Sequence, residues 1–216
     1  MTARENILGR IRSSLRGGAA ATAEALAEAD RRIAAQPPHP LPAAAWQPRE
    51  RFVARARELS STVEMLGGHR EIPAAIAAYL AAHDLPRQAV CWPELADLPW
   101  SDHGLSVEAR PPTADDPIGI TGAFCAVADT GTLMLRSGAT PPAAASLLPE
   151  THVAIVAAER IVPFMEDAWT LLRAERDGAP RAVNFISGPS RTADVELELY
   201  LGAHGPYRVH VIVIGA

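Results

Sequence analysis

The sequence predicts an α/β fold: a mixed, mostly parallel sheet flanked by helices, with an N-terminal helical extension. Three observations lead there. Up to about residue 82 the apolar positions recur at helical spacing, whereas from about residue 89 short apolar runs follow one another like buried strands. A helical segment then lies between two of those runs, which favours layers built on parallel strands. Finally, a return within 118–135 reads as a hairpin, which makes the sheet mixed. With 216 residues, 48% hydrophobic and 21% charged, the chain suits a packed globule.

The elements follow in order. Thr2 and Glu5 are spaced for a capping box, and Ile7, Leu8, Ile11 and Leu15 form a helical stripe behind them. Gly17 and Gly18 interrupt this helix, and the alanine-rich stretch through Ala29 offers another. Pro37, Pro38, Pro40 and Pro42 then forbid a continuous one. Residues 1–48 are thus read as an N-terminal helix and connector, with Trp46 as an anchor, and 49–216 as the α/β domain. A further helix begins near Pro48, where a missing N–H costs little. Its stripe of Phe52, Ala56, Leu59 and Val63 carries it toward Gly67-Gly68, and a third helix covers 74–82. Strands are expected at 89–92, 105–107, 118–128, 133–135, 153–156, 183–186 and 209–214, with a helix over about 163–172. Val195, Leu197, Leu199 and Leu201 alternate as a strand would. The glycine turn at 187–190 nevertheless favours a short helix starting near Ser190, with Asp194 and Glu196 in dipole-favoured positions.

Charge and cysteine count narrow the function classes. Twenty basic residues against 25 acidic ones give −5, which disfavours nucleic acid as a partner. The longest apolar stretch, 118–128, is far too short to span a membrane, and the arginine-rich N-terminus contains no signal core. Cytoplasm is the expected location. Cys91 and Cys125 cannot supply a four-cysteine iron–sulfur cluster.

Chemistry is expected in three loops. Ser187, Gly188, Ser190, Arg191, Thr192 and Asp194 follow a strand. A turn into a helix start there would present free N–H groups to an anion, and Arg191 would add a planar fork. The plainer account makes Ser190 a cap and Arg191 a surface ion-pair partner. Asp129, Thr130, Gly131 and Thr132 lie between strand segments, as a polar recognition turn or simply as a bend. Thr121 is grouped with them, while Ser137 belongs to the hairpin's far end. His204 precedes the last strand, where a loop imidazole could take or donate a proton. His152 and His204 provide no metal triad, and no metal is assigned. Walker, dinucleotide and nucleophile-elbow patterns are missing from the sequence.

Taken together, Ile120-Thr121-Gly122, Ala128-Asp129-Thr130-Gly131-Thr132, Leu148-Pro149-Glu150-Thr151-His152, the run 187–194, and Gly202-Ala203-His204-Gly205-Pro206 resemble the LUD domain family, and within it the YkgG family. The resemblance is clearest over the C-terminal two-thirds. It implies a fold like that of the NagB/RpiA/CoA-transferase group. It also implies a component of a multiprotein iron–sulfur system oxidising L-lactate to pyruvate. No cofactor is then held by this chain, iron–sulfur clusters are expected on partner proteins, and a small carboxylate or phosphate-bearing metabolite is the candidate ligand. An independent transferase, isomerase or ligase-like enzyme and a noncatalytic assembly protein stand as alternatives.

Overall fold

The structure, a computed structural model, describes residues 2–14, 22–35, 41–138, 143–175, 180–193, 199–202 and 204–215. It divides into two units, Met1–Pro42 and Ala43–Ala216. In the first, α1 spans Ala3–Ser14 and α2 spans Ala23–Ala35. The expected capping box is present: Glu5 accepts from the Thr2 N–H at 2.7 Å, and the Glu5 N–H donates to the Thr2 hydroxyl at 3.3 Å.

The second unit runs α3 (Pro48–Glu58), β1 (Thr62–Leu66), α4 (Ile72–Ala82), β2 (Gln88–Cys91), β3 (Ser106–Glu108), β4 (Ile118–Gly122), β5 (Cys125–Val127), β6 (Thr132–Arg136), β7 (Thr151–Ala157), β8 (Ile161–Val162), α5 (Met165–Ala174), β9 (Val183–Ile186), β10 (Arg191–Ala193), β11 (Leu199–Leu201) and β12 (Arg208–Ile214). Six strands form one sheet in the order β1-β12-β7-β4-β2-β3, and every pair in it is parallel. Both faces of the central strands of this sheet are buried. Val153 and Ile155 face the cluster holding Ile72, Ile76 and Leu80 of α4. Their neighbours Ala154 and Val156 face Phe52 and Ala56 of α3 and the second sheet. That double burial is why these strands read as unbroken apolar runs.

Three expectations need correction. The sheet is not mixed throughout. The apolar run 118–128 breaks at Ala123-Phe124, leaving β4 in the parallel sheet and sending β5 into a separate sheet of order β8-β5-β6-β9. The antiparallel hairpin β5–β6 belongs to that smaller sheet, whose outer face is covered by Ala168 and Leu172 of α5. Second, the helix from Pro48 stops at Glu58. The Ser61 N–H reaches back to the Ala56 carbonyl and the Ser60 N–H to that of Arg57, both at 2.9 Å, with Ser60 at φ 68°. This is a Schellman ending with serine where glycine is usual, so the expected stop signal was missing. Val63, which continues the helical stripe in sequence, lies in β1 opposite Val211. Third, no helix begins at Ser190: Arg191–Ala193 is a strand, paired antiparallel with Leu199–Leu201.

Candidate functional site at the amino ends of the parallel strands

Most of the loops singled out in the sequence gather at one end of the parallel sheet. Ser60 precedes β1, Leu148 and Glu150 precede β7, and His204 and Tyr207 precede β12, so this is the amino end. The turn at 129–132 and the loop after β9 meet there through hydroxyls. The Thr130 hydroxyl donates to that of Thr132 at 2.7 Å, and Thr132 and Ser187 share a hydrogen bond, also at 2.7 Å. Thr132 is buried and the other two are exposed, so the chain runs from solvent inward and back out.

Two glycines fit these loops onto the end of α3. Gly131 has φ 66°, and a Cβ there would lie 2.8 Å from the Arg55 and Ala56 backbone. Gly188 has φ 81°, and a Cβ would fall 2.3 Å from the Leu59 carbonyl oxygen. Left-handed backbone and helix contact together exclude a side chain at both positions. Asp129 is held by Arg51 at 3.6 Å.

The loop after β9 continues into the segment before β12. The Ser190 N–H donates to the Pro206 carbonyl at 2.9 Å, and the Ser190 carbonyl accepts from the Gly202 N–H at 3.0 Å. No helix start presents its amides here, because Arg191–Ala193 is a strand, and the Ser190 N–H is spent on a neighbouring loop. Arg191 is exposed and donates to the Ser60 hydroxyl; among the described residues it meets no carboxylate at ion-pair distance. Beyond it, a recess of about 550 Å³ is lined by Leu148, Glu150, His204, Tyr207 and Arg208, with the Arg208 guanidinium 4.7 Å from the Tyr207 ring centre.

Not every candidate joins this belt. Thr121 is fully buried in the parallel sheet and shares a 2.8 Å hydrogen bond with Nε2 of His152, also fully buried. Burial lowers the His152 pKa to about 3, so the ring is neutral and the pair is a core element. Thr192 lies in β10 opposite Tyr200. Asp194 lies outside the described residues. Ser137 sits away from the belt, accepting the Ala182 N–H at 2.9 Å. Sequence reasoning missed Ser60 and Arg51, which belong to α3 and its exit and carry no local motif. No group of three or more metal-ligating side chains occurs among the described residues, and no helix among them is long and apolar enough to cross a membrane.

Fold and loops define an α/β protein with a polar, loop-built surface at one end of a parallel sheet. The chain belongs to the LUD domain family, which matches residues 96–214. Among its relatives is lactate utilization protein C of Bacillus licheniformis, 38% identical over 100 residues, or 45% of this chain and 42% of that protein. The protein of the same name from an Exiguobacterium species is 38% identical over 118 residues, 53% of this chain and 51% of its own. That of Halalkalibacterium halodurans is 41% identical over 100 residues, 45% and 44% of the two chains. The matches span about half the length of these curated relatives. A crystal structure of a DUF162 family protein from Deinococcus radiodurans shares the fold, with TM-score 0.61 and 24% identity over 81% of this chain and 100% of that one.

Proposed function

We propose that this chain is a cytoplasmic component of a multiprotein iron–sulfur system that oxidises L-lactate to pyruvate, and that its amino-end belt holds a small carboxylate or phosphate-bearing metabolite. The relatives named for lactate utilization support the system. The observation that carries the site is Arg191: an exposed guanidinium beside the Ser60 hydroxyl, without a carboxylate partner among the described residues, next to the loop of Ser187, Gly188 and Ser190. A guanidinium fork matches a carboxylate through two parallel N–H donors, and neighbouring hydroxyls add donors of adjustable direction. His204, Thr130 and Thr132 complete the polar surface in this reading, which takes residues 49–216 as the LUD-like domain, of NagB/RpiA/CoA-transferase type.

Turning the carbinol of lactate into a ketone releases two electrons and two protons, and ordinary side chains offer no reusable acceptor for them. The two cysteines do not suit a cluster either. Cys91 lies in β2 and Cys125 in β5, both free and buried, and burial raises each thiol to about 11, which keeps it protonated. The proposal therefore assigns the clusters to partner proteins and gives this chain the work of binding and orientation.

The test is titration of the isolated chain with L-lactate and pyruvate, followed by lactate-dependent reduction reconstituted from defined partners with and without it. Arg191→Ala is expected to weaken anion binding at least about tenfold, the worth of one charge-assisted contact. Unchanged affinity and unchanged reconstituted activity would remove the anion clamp. A second reading, an assembly role, is favoured by Ile7 and Ile11 of α1, which are 59% and 50% exposed. Deleting residues 2–16 should then disrupt partner association and leave the second unit folded.

A further inference from the structure

At the opposite end of the parallel sheet, we infer a second binding site, for an organic anion: a phosphate or carboxylate joined to a flat, apolar body larger than a three-carbon acid. This inference stands apart from the reading of the amino-end belt. It rests on a cavity of about 600 Å³, within the range of roughly 300–1,000 Å³ usual for small-molecule sites.

Position is the first argument. His69 follows β1, Trp92 follows β2, Gly122 ends β4, Ala157 ends β7 and Ile214 ends β12, so the cavity opens at the carboxyl ends of the strands. The strand order makes one boundary special. From β2 the chain moves outward to β3 at the edge, whereas from β4 it moves the other way to β7 and β12. Connections diverging from adjacent strands leave a crevice above their carboxyl ends, where open α/β sheets receive ligands. Trp92 and Gly122 stand on the two sides of that boundary.

Lining chemistry is the second argument. Trp92, Leu95, Ile155 and Ile214 are buried and make an apolar floor. A Cβ on Gly122 would stand 3.7 Å from the Trp92 ring, in contact with it, so the strand end and the ring lie side by side. On the wall, the Arg136 and Arg160 guanidinium carbons lie 4.6 and 5.2 Å from the Phe124 ring centre. The two arginines differ in one respect. Arg160 is clamped by Glu175 through two hydrogen bonds of 2.7 and 3.0 Å, which cancels its charge locally. Arg136 meets no carboxylate at ion-pair distance among the described residues. Glu94, the other acid on the wall, is exposed and screened by water. Among the described residues the result is one uncompensated, half-buried cation beside aromatic and aliphatic surface. That combination recognises an anionic group with an apolar plane attached.

The experiment is calorimetric titration with 1-naphthyl phosphate, 1-naphthol and inorganic phosphate. 1-Naphthyl phosphate should saturate, and the two fragments should bind at least about tenfold more weakly, because each satisfies only half of the site. Arg136→Gln should lower its affinity at least about tenfold, as should Ala157→Leu, which fills the cavity without touching a charge. The second variant decides the matter if the first fails to fold. Arg191→Ala should leave this binding intact, so failure here and failure of the amino-end clamp are told apart. No saturation by 1-naphthyl phosphate in the millimolar range, the same affinity in Ala157→Leu as in the parent, or loss on Arg191→Ala would overturn the inference.

Discussion

The two ends of the parallel sheet are built by opposite means. At the amino end, short polar loops are pinned by backbone: glycines at 131 and 188 press on the last turns of α3, and the Ser190 N–H is committed to Pro206. At the carboxyl end, the walls come from side chains far apart in sequence, and the space between them stays open. The amino end is therefore sensitive to anything that shifts backbone or buried polar groups, whereas the carboxyl end should tolerate surface changes and report them in ligand affinity.

Acid should expose the contrast most strongly. His152 is the second residue of β7 and His210 the third of β12, both in the amino half of the sheet. Burial lowers His152 from 6.5 to about 3, and its Nδ1 has no hydrogen-bond partner among the described residues. His210 is lowered to about 4, first by burial and then by the charge of His83; it also faces Thr62 at 2.8 Å, Glu64 at 3.7 Å and a stacked Tyr79 ring. Well above pH 6.5 both rings are neutral in folded and unfolded chains, and stability is complete. As pH falls below that value, the unfolded chain takes up protons the folded chain refuses, costing about 1.4 kcal/mol per imidazole per pH unit until the folded pKa is reached. Urea denaturation should show a loss of about 4 kcal/mol from about pH 7.5 to about pH 5. A flat profile would mean that water reaches these rings and that the amino half is not tightly closed.

A single methyl group tests the same closure without protons. Gly188→Ala places a Cβ against the Leu59 carbonyl in a left-handed backbone. Strain and overpacking together should cost about 3 kcal/mol and lower Tm by roughly 6–12 °C for a chain of this size. A neutral substitution would show that the loop after β9 floats free of α3, and would remove the scaffold for Arg191.

How much of this was legible in the sequence follows from the range of the interactions. The cores of β7 and β12 were readable because both faces of those strands are buried, so local composition reports the tertiary environment directly. The boundary between α3 and β1 was not, since Ser60 adopts a conformation normally signalled by glycine and Val63 happens to continue the helical stripe. Near Ser190, a turn followed by acidic residues looks the same before a helix as before a strand; pairing of Thr192 with Tyr200 decides it, and that contact is not local. Candidate residues in the 129–132 and 187–191 loops do meet, through Thr132 and Ser187, although nothing in their spacing required it. The carboxyl-end cavity had no signature because it exists only once the strand order places Trp92 beside Gly122.

The smallest expected effect on stability is at that cavity, and it sharpens the comparison by separating stability from binding. Glu175 and Arg160 form a bidentate pair in which both side chains are 34% exposed. Partly solvated pairs of this kind contribute little net free energy, so Glu175→Gln should change unfolding stability by less than about 1 kcal/mol. The same change releases a second guanidinium onto the Phe124 wall beside Arg136. Affinity for 1-naphthyl phosphate should rise about threefold at low salt and return toward the parent value as salt is added, because the gained attraction is screened. A marked loss of stability with no gain in affinity would make the pair a clasp between the segment after β7 and the end of α5. Arg160 would then have no part in the electrostatics of the cavity.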